Sequence, residues 1–289
     1  MTNREALTST AVLAQPFLKW AGGKSQLLVQ FEQHFPADFE QYLEPFVGGG
    51  AVFFHLYNQG KITRATLSDS NSELVNCYRT IRDDVEELIQ LLGEHQEKHS
   101  REHYYRIRSL DRQRTIQLSS VERAARMIYL NRTCYNGLWR VNRKGEFNVP
   151  MGRYKNPRIQ DADNLRAVSA ALHNVEIVAE DFRQVLNRAQ AGDFVYFDPP
   201  YVPLNETSSF TSYTAGDFGL QEQQQLAEVY KALSDKGCLV MLSNSDTPIV
   251  RELYAAFRIE IVKATRAINS KPDGRGEINE LVILNYSGS

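Results

Sequence analysis

Seven short apolar runs, at 41–46, 64–68, 175–178, 193–197, 238–242, 258–263 and 281–285, are separated by stretches of helical spacing, notably 25–35, 220–234 and 248–257. Strands that alternate with helices need crossover connections, and crossovers lay helices on both faces of a mostly parallel sheet. The expectation is an α/β fold. Its middle departs from that rhythm. From about Asn76 to Leu172 the apolar residues recur at helical spacing, as in Val85, Leu88, Ile89 and Leu92, then Val121, Ala124, Ala125 and Ile128. A break at 141–150, where Lys144-Gly145 suits a tight turn, predicts a β-hairpin. Residues 1–75 and 173–289 therefore read as one α/β domain, split by a mainly helical insertion at 76–172. A chain of 289 residues has room for both.

Charge singles out part of that insertion. Between Arg123 and Arg158 stand nine basic residues and one acidic one, Glu146, so the segment is +8 in a chain whose formal net charge is -2. Tyr129, Tyr135, Trp139, Phe147 and Tyr154 are interleaved with the cations, a mixture suited to phosphate contact and base stacking. Cys77, Cys134 and Cys238 are widely spaced, which argues against a zinc site or a disulfide framework and leaves no metal to expect. No apolar run approaches the ~20 residues that span a bilayer. The first 15 residues lack the basic end and apolar middle of a secretory signal, so a cytoplasmic protein without membrane contact is expected.

Three motifs carry chemistry. The run 193–197 ends in Asp198-Pro199-Pro200-Tyr201, and the prolines, lacking amide donors, must end the strand there. Ligands bind at the carboxyl ends of strands in doubly wound sheets, which places Asp198 and Tyr201 at a cleft rim. A carboxylate and the Pro199 carbonyl there can accept the two hydrogens of an aromatic amine and aim its lone pair at a methyl donor, while Tyr201 stacks on the base. A Pro-rich turn alone would explain the prolines but not the flanking acid and aromatic. The second motif, Glu44-Pro45-Phe46-Val47-Gly48-Gly49-Gly50, is a strand followed by glycines, with Asp69 about 20 residues on, placed to meet ribose hydroxyls. Phe53 stands where a dinucleotide fingerprint needs glycine. The third, Gly22-Gly23-Lys24-Ser25, fails as a phosphate-binding loop because Leu18 occupies the first glycine position, but a Gly-Gly-Lys turn opening a helix suits a carboxylate.

In this order PFLKWAGGK, EPFVGGGAVFF, SDSN, NRTCYNGLWRVNRKGEFNVPMGRYKNP and YFDPPY make the chain resemble the DNA adenine methyltransferase (Dam) family. The likeness extends from Pro16 to Tyr286, and the chain looks especially like the Dam-type enzymes of GATC restriction-modification systems. It implies a Rossmann-like domain that uses S-adenosylmethionine, with a mostly parallel seven-stranded sheet, and an inserted helical domain that recognises DNA. By the same likeness Trp20, Lys24, Asp69 and Asp198 contact the cofactor, Phe46, Gly48 and Gly50 line its pocket, and Asp181 and Phe182 hold its adenine. In the middle run it assigns Arg140 to a guanine, Tyr135 and Asn136 to the space around a flipped base, and Leu138 and Pro150 to apolar reading. Arg132, Asn142, Arg153 and Lys155 are expected at DNA as well, the basic ones mainly on phosphates. The implied activity is methylation of adenine in double-stranded GATC, either beside a restriction endonuclease for the same site or alone. The alternatives are amine methylation at another sequence or base, and a DNA-binding relative without catalysis.

Overall fold

The computed structural model describes residues 12–113, 115–201, 218–265 and 277–287. Strands β1 (Tyr42–Glu44), β2 (Ala65–Asp69), β3 (Val175–Ala179), β4 (Phe194–Phe197), β5 (Leu239–Ser245), β6 (Arg258–Thr265) and β7 (Glu277–Leu284) form one seven-stranded sheet in the order β3-β2-β1-β4-β5-β7-β6. Only β7 is reversed, lying antiparallel to β5 and to β6. The chain winds from β1 outward through β2 and β3, then returns to β4 on the other side of β1. That reversal opens a crevice at the carboxyl ends of β1 and β4, where such Rossmann-like sheets bind ligands.

Side chains alternate across the pleat, so each central strand serves two cores. Tyr42, Phe194, Tyr196 and Met241 join one apolar cluster, while Leu43, Val195, Phe197, Val240 and Leu242 join the other. The second cluster is covered by α8 (Val185–Arg188), α9 (Leu220–Asp235) and α10 (Pro248–Leu253). The first takes in α1 (Leu28–Phe31), α2 (Ala51–Asn58), α3 (Ser72–Asp83), α4 (Val85–Glu97), α5 (Arg101–Arg108), α6 (Ser120–Thr133) and α7 (Ala162–Leu172). The apolar cluster is continuous from Phe194 through Tyr78 to Tyr104 and Tyr129, so the helices of the middle segment share the core of the sheet's near face. Arg79 and Arg82 of α3 fasten that helix to the sheet edge by donating to the β3 carbonyls of Ile177 and Val175.

Local signals account for the helix ends. Asn71 caps α3, Ser100 caps α5, Thr247 caps α10 with proline at its first position, and Ser119 and Glu122 form a reciprocal capping box on α6. Three expectations are corrected. The helix at 25–35 is broken into a 3-10 turn, the four-residue α1 and a second 3-10 turn, and Gly23 offers no side chain to cap its start. The helix expected at 248–257 stops at Leu253, and the next residue, Tyr254, turns inward against Tyr230, ring centroids 5.2 Å apart. The hairpin at 141–150 is only one bridge long, Val141 to Phe147. No helix among the described residues is long and apolar enough to cross a membrane.

The α4–α5–α6 bundle contains a directional histidine network. A guanidinium only donates, so Arg106 Nη2, 2.9 Å from His103 Nδ1, places the His103 proton on Nε2, from which it is donated to His95 Nδ1 at 3.0 Å. His95 stacks on Tyr129, and His99 Nδ1 lies 3.0 Å from the Tyr129 hydroxyl. Burial, chiefly, lowers all three histidines, His95 to about 4, so they are held neutral. A histidine lowered on folding contributes stability above its unfolded value near 6.5, lost as pH falls toward the folded value. The stability advantage of the protein over a His95→Gln variant is therefore expected to be full at pH 7.5 and to shrink between pH 6.5 and 4. Denaturant titrations at several pH values check this, and an advantage independent of pH would contradict it.

Candidate active site

Strand β4 ends where its prolines require, delivering Asp198 to the mouth of the crevice. The Asp198 Oδ1 atom receives the Lys24 ammonium at 2.7 Å and the Ser243 hydroxyl at 3.1 Å, and Ser243 in turn lies 2.8 Å from the Tyr196 hydroxyl. Lys24 is only 4% exposed, donates also to the Gly22 carbonyl at 2.5 Å, and stands 4.6 Å from the centre of the Tyr201 ring. Burial pushes the Asp198 carboxyl up, and Lys24 and Ser243 pull it back toward the ionised form. The Pro200 carbonyl is held by Gln223 Nε2 at 2.9 Å, and Tyr201 donates its hydroxyl to Glu280 at 2.7 Å. Acid, ammonium and aromatic face thus converge on one point, a place to receive an amine on a planar ring.

The glycine loop forms the floor beside it. Gly48 and Gly50 adopt φ of 46° and 69°, and the Gly48 amide donates to Asp69 Oδ2 at 3.2 Å while Asn71 N donates to Oδ1 at 2.9 Å. Burial pushes the Asp69 carboxyl up to about 6 against these two bonds. A Cβ on Gly48 would lie 2.7 Å from Trp20 Cδ1, so the indole packs on bare backbone. Gly60 has a similar φ of 71° with nothing within 4 Å of its would-be Cβ. Gly48→Ala is therefore expected to cost about 1–3 kcal/mol in strain and displacement of the indole, more than Gly60→Ala, which bears the backbone strain alone. Denaturant midpoints at unchanged slope read the difference, and equal shifts would contradict the packing argument.

An aromatic wall closes the next stretch. Phe46 stacks on Phe182 at 5.4 Å, and Phe218 meets both edge-on or tilted, at 5.6 and 5.8 Å. Asp181, beside Phe182, pairs with Arg183 at 2.6 Å, which holds its carboxyl below the usual range against its partial burial. Glu44 is buried under the loop, bonded to the Tyr42 hydroxyl at 2.9 Å, and burial pushes its carboxyl well up. Trp20, Lys24, Phe46, Gly48, Gly50, Asp69, Asp198, Pro199, Pro200 and Tyr201 all line a single cleft of about 1790 Å³, whose far wall reaches Leu138 and Trp139.

The basic segment divides in two. Arg123 pairs with Glu73, Arg126 with Asp111 at 2.7 Å, and Arg132 donates to the Phe17 carbonyl at 3.1 Å, so these three tie α6 into the fold. Arg143, Lys144, Arg153, Lys155 and Arg158 are exposed. Between them, Tyr135, 53% exposed, and the exposed Asn136, with a left-handed φ of 55°, make a turn that projects from the end of α6. Asn131, 0% exposed, anchors that turn by donating to the Gly137 carbonyl and bonding both backbone groups of Lys19, all at 2.8 Å. Arg140 Nε donates to Asn148 at 2.6 Å. Asn142 spends its carbonyl on the amides of Lys144 and Glu146, closing the one-bridge hairpin, and its amide on Glu146. Leu138 is half-buried beside the cleft, and the exposed Pro150 accepts the Tyr135 amide at 2.8 Å.

Sequence reasoning missed Ser243, Gln223, Glu280, Phe218 and Asn148. Ser243 and Glu280 sit inside strands read only as apolar or left unread, and nothing in their spacing relates them to Asp198 or Tyr201.

Comparison with known proteins agrees with this geometry. Residues 20–268 match the family described as D12 class N6 adenine-specific DNA methyltransferase. The chain is 47% identical over 283 residues to the type II methyltransferase M1.LlaDCHI of Lactococcus lactis subsp. cremoris, covering 97% of this chain and 98% of that protein. It is likewise 47% identical over 286 residues to the type II methyltransferase M.MjaIII of Methanocaldococcus jannaschii, covering 94% and 99%. The DNA adenine methylase of Escherichia coli K12 is 37% identical over 274 residues, covering 94% and 95%.

Proposed function

This chain belongs to the D12 class N6 adenine-specific DNA methyltransferases, and from that premise we propose that it methylates adenine in double-stranded GATC, with S-adenosylmethionine as donor. The observation that carries the reading is the convergence of Asp198, Lys24 and Tyr201 at one end of a cleft whose other parts suit a nucleoside. The residues present fit that donor. Asp69 is assigned to ribose hydroxyls and Phe46 and Phe182 to an adenine ring, and the bare Gly48 backbone lets the Trp20 indole pack against the loop beside them. Bound there, the donor would supply a sulfonium methyl group for transfer to the amine nitrogen, with the carbon–sulfur bond to its thioether leaving group broken and one proton lost from nitrogen.

Asp198 does the orienting. Lys24 and Ser243 both engage Oδ1, which assigns Oδ2 to the adenine amine, and the Pro199 carbonyl takes the second hydrogen. The lone pair is then drawn out of conjugation and aimed along the methyl axis, a gain mostly of proximity and alignment. Burial raises the Asp198 carboxyl and the paired ammonium opposes that shift, which suits a carboxylate that is to accept the departing proton. Tyr201 offers its face to the base, replacing the stacking lost when adenine leaves the duplex.

Reading of the sequence belongs to the middle segment. Arg140, its Nε edge fixed by Asn148, meets a guanine with its terminal amines, and Leu138 and Pro150 make apolar contacts. Tyr135 and Asn136 enter the space around the flipped base, and Arg153 and Lys155 bind phosphates. Arg132 and Asn142 support the same surface from within. The type II relatives favour a restriction endonuclease for the same site as the partner in the cell. The test is transfer of labelled methyl from S-adenosylmethionine to duplexes containing GATC or a single altered base pair. Label in adenine of the GATC duplex alone is expected; equal labelling of the altered duplexes would overturn the GATC assignment.

A further inference from the structure

We propose that Glu280 is a positioning residue for methyl transfer, fixing the face of Tyr201 on which the target base stacks. It rests on the reading that Tyr201 is the stacking partner. Glu280 belongs to β7, the reversed strand inserted between β5 and β6, in register with Ser245 on one side and Val262 on the other. Along β7, Val282 and Leu284 face the cluster that holds Tyr196, while Leu281 and Ile283 face the opposite core. Alternation puts Glu280 on the Tyr196 side, beneath the cleft. It is 8% exposed, and a carboxylate so placed is retained only with hydrogen-bond partners. One of them is the Tyr201 hydroxyl, at 2.7 Å.

The consequence is geometric and electronic. Tyr201 follows two prolines beyond the end of β4, and a phenyl ring pivots about its own side-chain bonds. The bond to Glu280 holds the far end of the ring while Lys24 stands 4.6 Å from its centre. Charges therefore alternate along the line Asp198, Lys24, Tyr201 ring, Glu280. A phenol that donates to a carboxylate has a more electron-rich face, which strengthens its hold on positive charge above it. Burial, with Asp198 and Glu280 beside it, keeps the phenol protonated and so a donor.

A double-mutant cycle tests this with single-turnover methylation of a GATC duplex and the affinity for S-adenosylmethionine as separate readouts. Glu280→Leu is expected to slow transfer about tenfold or more, and Glu280→Gln, whose amide oxygen still accepts the hydroxyl, only about threefold, with cofactor affinity within about twofold in both. In a Tyr201→Phe background, which has no hydroxyl to hold, either change at Glu280 is expected to add less than about twofold. Glu280→Gln is nearly isosteric and carries the cycle alone if Glu280→Leu does not fold. Additive losses, or wild-type transfer in Glu280→Gln and Glu280→Leu, would overturn the proposal. If Tyr201→Ala instead kept full transfer, the stacking role itself would fall.

Discussion

Replacing Asp198 with alanine is expected to slow methyl transfer by about 10³-fold, because in the mechanism proposed above the carboxylate is the acceptor that both orients the amine and takes up its proton. Binding of a GATC duplex is expected to stay within a few-fold, since most of the residues proposed to meet DNA lie in the middle segment, away from Asp198 in the sequence. The change also removes the partner of Lys24, and breaking a buried pair from one side costs about 3–5 kcal/mol because the remaining charge is left without compensation. The melting temperature should fall as well, so rates need measuring well below it. Asp198→Asn separates the two effects. It keeps the shape and one acceptor oxygen but brings no ionised group, and it is expected to stay as slow as the alanine variant while recovering part of the stability. Near-normal turnover in Asp198→Asn would mean that an ionised carboxylate is not required.

Arg140→Ala is expected to shrink the ratio of cognate to mismatched methylation about 10- to 100-fold at one guanine position, matching the 1–3 kcal/mol that a bidentate arginine contributes to discrimination. Asn148 accepts from Arg140 Nε at 2.6 Å and so helps fix the guanidinium plane, and Asn148→Ala should produce a weaker version of the same loss. Lys155→Ala is the contrasting case: exposed and suited to phosphate, it should weaken binding evenly on all duplexes and flatten the salt dependence. Equal losses on cognate and mismatched DNA for Arg140→Ala would remove it from base reading.

Much of the scaffold was legible because it depends on local pattern. The strand runs, the proline stop after Phe197 and the glycines after Phe46 each report backbone requirements that neighbouring residues reveal. The site was legible only in pieces. Lys24 was placed by its turn as a carboxylate binder, yet its ammonium lies on Asp198, a contact between distant parts of the chain that no spacing discloses. The +8 segment shows why charge counts mislead: Glu73 and Asp111, outside it, satisfy Arg123 and Arg126, so part of the apparent DNA-facing charge fastens α6 to the fold. The side chain of Asn142 closes the short hairpin, a local role that its motif does not reveal. Around Tyr135 and Asn136 the structure adds what the sequence does not display, an exposed aromatic next to a left-handed asparagine.

Base-resolved sequencing of DNA from cells expressing the protein, in a host lacking its own adenine methylation, tests the central claim most directly. N6-methyladenine at GATC on both strands, absent when Asp198→Ala is expressed instead, is the predicted result. Methylated cytosine, methylated adenine in another sequence, or GATC methylation that survives Asp198→Ala would contradict it.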